Sequence, residues 1–142
     1  MLAHGLFRWR RQKVEGRISC MEQNTDLVAR TKRFALATIK FCESLPKDET
    51  SRVLGRQLLR SGTSVGANYR AAQRAKSKPD FISKMGTVLE EADECIYWIE
   101  LLLEAGKVDS RTSAALHREA TELVAIAVSS LNTARRNLGA GE

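Results

Sequence analysis

Disulfide pairs, strand signals and bilayer-spanning runs are all missing from these 142 residues. Three cysteines, Cys20, Cys42 and Cys95, make an odd number with no Cys-x-x-Cys spacing. That pattern points to free thiols in a reducing cytoplasm, with Cys42 and Cys95 serving as small core hydrophobes. No Asn-Gly or Asp-Gly turn and no sustained apolar/polar alternation is present, which excludes a hairpin-rich fold. The most apolar run, Cys95–Leu103, is interrupted by Glu100 and falls well short of the roughly 20 residues a membrane helix needs. Histidine is as scarce: His4 and His117 are the only two, and neither ends a Glu-x-x-His motif. A dinuclear bundle site is thereby excluded, and no metal, cofactor or small-molecule substrate is expected. No nucleophile–histidine–acid set shows in the spacing, so a non-enzymatic protein is the expectation.

The net charge of +6 is unevenly placed. Residues 1–20 hold Arg8, Arg10, Arg11, Lys13 and Arg17 against Glu15, which is +4 of that total. They lack the apolar stretch of a secretory signal. We read residues 1–22 as a disordered basic tail or an extension upstream of a start at Met21, an organellar targeting peptide being the third option. Residues 21–142 then carry only +2, so the overall basicity is poor evidence for a nucleic-acid-binding domain.

Helical periodicity fills residues 23–138, with 139–142 fraying. A first helix is predicted from a cap at Asn24 or Thr25 to Leu45, stopped by Pro46, on the stripe Leu27, Thr31, Phe34, Thr38, Phe41 and Leu45. A second runs from about Asp48 to Lys76. A third opens at Ser77 with Pro79 and Asp80 behind it, carries Phe81, Met85, Val88, Ala92, Ile96, Ile99 and Leu103, and ends at Gly106. The fourth starts at Asp109 or Ser110 and carries Leu116, Ala120, Leu123, Ala127, Leu131, Ala134 and Leu138. Four such helices joined by short turns specify an all-α, antiparallel up-down-up-down four-helix bundle. Val124, Ile126 and Val128 fall outside the last stripe, which marks either a face for another copy or simply the most buried helix.

The stretch Arg60–Ala75 is rich in glycine, serine and asparagine, yet it keeps the helical phase. Taking Arg56 as zero at about 100° per residue, Leu54, Leu58, Ser61, Val65, Tyr69 and Ala72 share one face. A phosphate-binding loop is excluded, because Gly62 and Gly66 have neither the spacing nor the lysine that motif requires. Gly55, Gly62 and Gly66 gather at about 240–280°, and together cost the helix about 2–3 kcal/mol relative to alanine. Close approach of another helix, inside the bundle or across a subunit interface, is the expected compensation. Gln57, Ser64 and Asn68 form a polar seam on the opposite flank, and Glu91, Glu94 and Trp98 are the candidate facing residues.

Arg52, Arg56, Arg60, Arg70 and Arg74 lie within about 40° of one line opposite the core. With Lys76 and Lys78 they make seven cations and no acid between residues 50 and 79. Between residues 85 and 106 the sign inverts, with Glu90, Glu91, Asp93, Glu94, Glu100 and Glu104 and no Lys or Arg. One reading makes these solvated faces with helix-to-helix ion pairs that set register and partner choice. The other makes the arginine row an unneutralised phosphate-binding surface. A third pattern, Arg111 six residues before His117, resembles the spacing of HEPN-type ribonucleases, although a regular helix holds the two side chains about 120° apart.

Three segments, LVARTKRFALATIKFCESLP, LGRQLLRSGTSVGANYRAAQRAKSKPDFISKMGTVLEEADE and YWIELL, resemble the bacterial four-helix-bundle proteins encoded by 23S ribosomal RNA intervening sequences. The chain resembles more distantly the ring-forming accessory protein of diversity-generating retroelements. The resemblance implies a homo-oligomeric ring, pentameric in the family, with no established catalytic residues, and the retroelement protein works with a reverse transcriptase and RNA. Ala71 stands where the family has the glutamate of its Asn-Tyr-Arg-Glu-Ala motif, Glu90 where lysine is common and Cys95 where threonine is common. The first substitution leaves the second helix more basic. Binding of RNA or a ribonucleoprotein through Arg52, Arg56, Arg60, Arg70, Arg74, Lys76 and Lys78 is thus the leading expectation. A protein-interaction scaffold is the alternative.

Overall fold

A computed structural model describes residues 18–139, with side-chain surroundings from residue 26 onward. The tail expectations for residues 1–17 and 140–142 lie outside it. The described residues form four helices and no strand: α1 Ile18–Glu43, α2 Glu49–Gln73, α3 Lys78–Glu104 and α4 Ser110–Gly139.

The expected boundaries shift at three places. Helix α1 begins at Ile18, upstream of the expected cap at Asn24 or Thr25, since Ile18–Gln23 holds no glycine or proline to stop it. It ends at Glu43 rather than Leu45, where the Ser44 and Leu45 amides bond three residues back and Pro46 bars a further turn. Helix α2 ends at Gln73 rather than Lys76, because Arg74 and Ala75 close a tight last turn and Ser77 must be extended to cap α3.

Each of the three later starts has a side-chain cap. The Asp48 carboxylate accepts from the Ser51 amide at 3.0 Å and the Ser51 hydroxyl at 2.8 Å, with Lys107 Nζ at 3.3 Å. The Ser51 hydrogen bonds, the backbone one foremost, hold Asp48 down to about 2. The Ser77 hydroxyl accepts from the Asp80 amide at 3.1 Å, and Asp109 accepts from the Thr112 amide at 2.6 Å. Helix α3 closes with a Schellman pair, Lys107 N–H to Leu102 O and Gly106 N–H to Leu103 O, around Gly106 at φ 71. A left-handed residue is needed there, and glycine adopts it without strain.

The core runs the length of the bundle. Phe34 and Phe41 come from α1, Leu58, Val65 and Tyr69 from α2, and Leu116, Leu123 and Leu131 from α4. The α3 stripe is rotated from its expected setting. Met85, Val88, Ala92, Cys95, Ile99 and Leu102 are buried, while Ile96 and Leu103 are half-buried. Alternating steps of three and four make this a seam with a 3.5-residue repeat, the geometry of nearly aligned helices. In α4, Val124 packs on the core, Ile126 is half-buried and Val128 is exposed.

Helices α1–α2, α2–α3 and α3–α4 pack closely, α1 and α4 touch at few points, and the diagonal pairs keep their backbones apart. All three flank glycines of α2 face α1 and its turn. A Cβ on Gly55 would stand 2.9 Å from Leu45 Cδ1, on Gly62 2.6 Å from Thr38 Cγ2, and on Gly66 3.4 Å from the Thr31 backbone. These contacts run in opposite order along the two segments. The buried Thr31 and Thr38 hydroxyls donate to Leu27 O and Phe34 O at 2.8 Å, so this tight contact leaves neither unsatisfied.

Two predictions follow from caps and glycines. Gly62→Ala gains about 1 kcal/mol of helix propensity but must displace Thr38, for a net loss of about 1–3 kcal/mol. Gly86→Ala meets nothing within 4 Å and raises stability by about 0.5–1 kcal/mol. Urea midpoints separate the two, and stabilisation by both variants would refute the close-approach account. For Asp48 the folded-state pKa is depressed, so its contribution is present above the ordinary value of 3.8 and lost as pH falls towards about 2. Asp48→Ala therefore lowers the urea midpoint at pH 7, and its gap from the parent narrows progressively below pH 4.

Candidate nucleic-acid interface

Packing of the α2 core and glycine faces turns its four arginines, and Arg74 at its C-cap, to the surface. They are not equivalent. Arg52 pairs within its own helix with Glu49 at 2.7 Å. Arg60 reaches α3, where it meets Glu91 at 3.2 Å, hydrogen-bonds Glu94 and touches Gln57 at 3.5 Å. The guanidinium is thereby raised in pKa, foremost by Glu94, and Glu94 is lowered, foremost by Arg60. The expectation of five unneutralised arginines is corrected here: a row read from one helix omits the carboxylates that the next helix brings to it. Arg56, Arg70 and Arg74 are exposed and have no carboxylate partner among the described residues.

Glu94 also accepts from Trp98 Nε1 at 3.1 Å, and the Trp98 ring meets Tyr97 edge-on with centroids 5.0 Å apart. Glu91, Glu94 and Trp98 thus join Gln57 and Arg60 in a network within one chain. In the polar seam, Asn68 donates to Ser64 O at 2.8 Å, within α2. Ser64 and Asn68 are half-buried. Of the turn lysines, Lys76 is exposed and Lys78 reaches Asn137 O at 3.4 Å.

That last contact carries information absent from the linear pattern. It sets the end of α4 against the α2–α3 turn, so the exposed Arg135 and Arg136 stand at the same end of the bundle as Arg70, Arg74, Lys76 and Lys78. Asp80, the nearby acid, is engaged by Lys84 at 2.7 Å. The Arg-Arg pair ending α4 was visible in the sequence. Its value shows only once α4 is known to return to that turn. Cations there also suit the negative ends of the α2 and α4 dipoles.

His117 lies in a groove between α3 and α4, with Nε2 3.0 Å from Glu100 Oε1. Arg111 is exposed in the first turn of α4 and does not line that groove. Among the described residues no group of three or more His, Cys, Asp or Glu side chains is placed to hold a metal ion, and no helix is long and apolar enough to cross a membrane. Burial pushes the Cys42 and Cys95 thiols up to about 11, which keeps both protonated.

A family model described as 23S rRNA-intervening sequence protein matches residues 23–129. The chain belongs to that family. It is also similar, at 33% identity and a TM-score of 0.69, to a crystal structure from Bacteroides thetaiotaomicron of a protein with unknown function from the S23 ribosomal protein family. That match covers 73% of this chain and 96% of the other. No curated protein matches.

Arg60 is the arginine of the row that bridges two helices. It is 48% exposed, so screening keeps its pairs with Glu91 and Glu94 modest. Arg60→Gln is expected to lower stability by about 1 kcal/mol at low salt and less at high salt, with Arg56→Gln within about 0.5 kcal/mol of the parent. Urea titration at two salt concentrations measures both, and equal effects would remove the distinction.

Proposed function

We propose that this chain is a non-enzymatic RNA-binding bundle whose helices run up-down-up-down and whose copies assemble into a ring. Its binding groups are Arg56, Arg70 and Arg74, supplemented by Lys76 and the other cations at the same end of the bundle. The observation that carries this reading is the lack, among the described residues, of any carboxylate partner for three exposed, aligned arginines, when Arg52 and Arg60 of the same row are both neutralised. Guanidinium groups bind phosphate in a bidentate fork, and each contact releases counterions, so binding is salt-dependent. A ring, pentameric by the resemblance, repeats this face and multiplies weak contacts. The opposite-order contacts of α1 with α2 and the short connections support the topology. The family's name ties its members to 23S rRNA intervening sequences, in keeping with an RNA partner. Protonated free thiols suit a cytoplasmic setting.

A second reading, an interaction scaffold that binds no nucleic acid, is favoured by the acidic outer face of α3. Glu90, Asp93 and Glu104 are exposed there and complement the basic α2 of another copy.

The test is titration of the full chain with a single-stranded RNA of about 20 nucleotides at several salt concentrations. Replacing Arg56, Arg70 and Arg74 together by Gln removes three contacts, so affinity falls at least about tenfold and the salt slope shrinks by about 2. Unchanged binding would sink the phosphate mechanism. A chain that binds no RNA and whose oligomer dissociates as salt rises is the scaffold instead.

A further inference from the structure

The bundle is open along one seam. Between α1 and α4 lies a groove of about 710 Å³, floored by Phe34, Phe41 and Leu116. Along α1 and the residue after it the lining repeats as Phe34, Ala37, Phe41 and Ser44, and on α4 as Thr112, Ala115 and Glu119, each in steps of three and four. That repeat is the one with which helices seat a further helix, knobs entering holes. Ala37 and Ala115 are small and exposed, so the holes are there and unfilled by this chain's described residues. The lining runs from Asp26 to Ser44, about 27 Å of helix at 1.5 Å per residue.

The charges name the occupant. At one end Arg30 is fully engaged, meeting Glu119 at 2.6 Å and also hydrogen-bonding Glu122, so its positive charge is more than offset there. Along the rest of the α1 rim stand Arg33 and Lys40, seven residues apart and both exposed. Arg33 has only a loose contact with Asp26 at 3.8 Å, and Lys40 has no carboxylate partner among the described residues. Flanking positions of this kind select a helix of opposite charge. Residues 1–17 of this chain, with five cations and one acid, have the wrong sign.

We propose that the α1–α4 groove docks an amphipathic acidic helix of a partner protein, about 18 residues long, as a fifth helix of the bundle. Its large apolar side chains enter over Ala37 and Ala115, and two carboxylates seven residues apart face Arg33 and Lys40. This surface is separate from the α2 arginines, so it stands or falls independently of RNA binding.

The probes are two fluorescein-labelled 18-residue helical peptides with leucine at the core heptad positions. One carries glutamate at the flanking positions, the other lysine. Anisotropy titration of the full chain should show the glutamate peptide binding at least tenfold more tightly. Arg33→Glu with Lys40→Glu should reverse that order, and Ala37→Trp should abolish binding of both, with the circular dichroism of these exposed-site variants unchanged. Equal binding of the two peptides, or binding indifferent to Ala37→Trp, overturns the proposal. So does an oligomer whose mass falls on Ala37→Trp without peptide, since a second copy then fills the groove. A tenfold gain in glutamate-peptide affinity on Phe7→Ala with Trp9→Ala also overturns it, because the chain's own N-terminal residues are then the occupant.

Discussion

The close approach of α1 to α2 is the constraint on which the rest depends. Gly62 meets Thr38 at a distance that leaves no room for a Cβ, Gly55 meets Leu45 almost as closely, and a Cβ on Gly66 would rest in van der Waals contact with the Thr31 backbone. Glycine in a helix interior is unfavourable, so the contact must be recovered in packing. Its polar groups are satisfied: Thr31 and Thr38 bond their own helix, and no buried side-chain polar atom among the described residues lacks a partner. Such a seat fixes the rotation of α2 about its axis. Once the glycine flank faces α1, the Leu58–Val65–Tyr69 stripe can only face the core and the arginines can only face out.

Charge placement follows from that rotation. The seam flank of α2 lies beside α3, so Arg60, at the edge nearest that flank, comes within reach of Glu91 and Glu94. The other arginines cannot make that reach, and Arg52 finds Glu49 in its own first turn. What remains is an outward line of Arg56, Arg70 and Arg74, prolonged at one end of the bundle by lysines of the turn and by Arg135 and Arg136 of α4. Electrostatic function on this surface is therefore a residue left after structural pairing.

The fold was legible because its signals are local. Pro46, Ser77–Pro79–Asp80, Gly106 and Asp109 marked the ends of helices, and stripes at 3.6-residue spacing marked the core. The α3 stripe was set slightly wrong because Cys95 and Ile96, like Leu102 and Leu103, are adjacent apolar residues between which periodicity alone cannot choose. Pairing across helices was much less legible. That Arg60 is neutralised depends on the register of α3 against α2, and that Arg135 joins the basic end depends on where α4 finishes. The α1–α4 groove left no mark at all, since Ala37 and Ala115 look like ordinary surface alanines until the two helices are seen apart.

The claim at the centre is that the arginines left over from packing serve a polyphosphate partner. The purified full chain's mass and its 260/280 nm absorbance ratio, taken first at low salt and then after a high-salt wash, test it most directly. The account predicts an oligomer of the 15.8 kDa chain with an elevated ratio that the wash lowers to that of protein alone. A monomer with a plain protein spectrum at every salt concentration would contradict it.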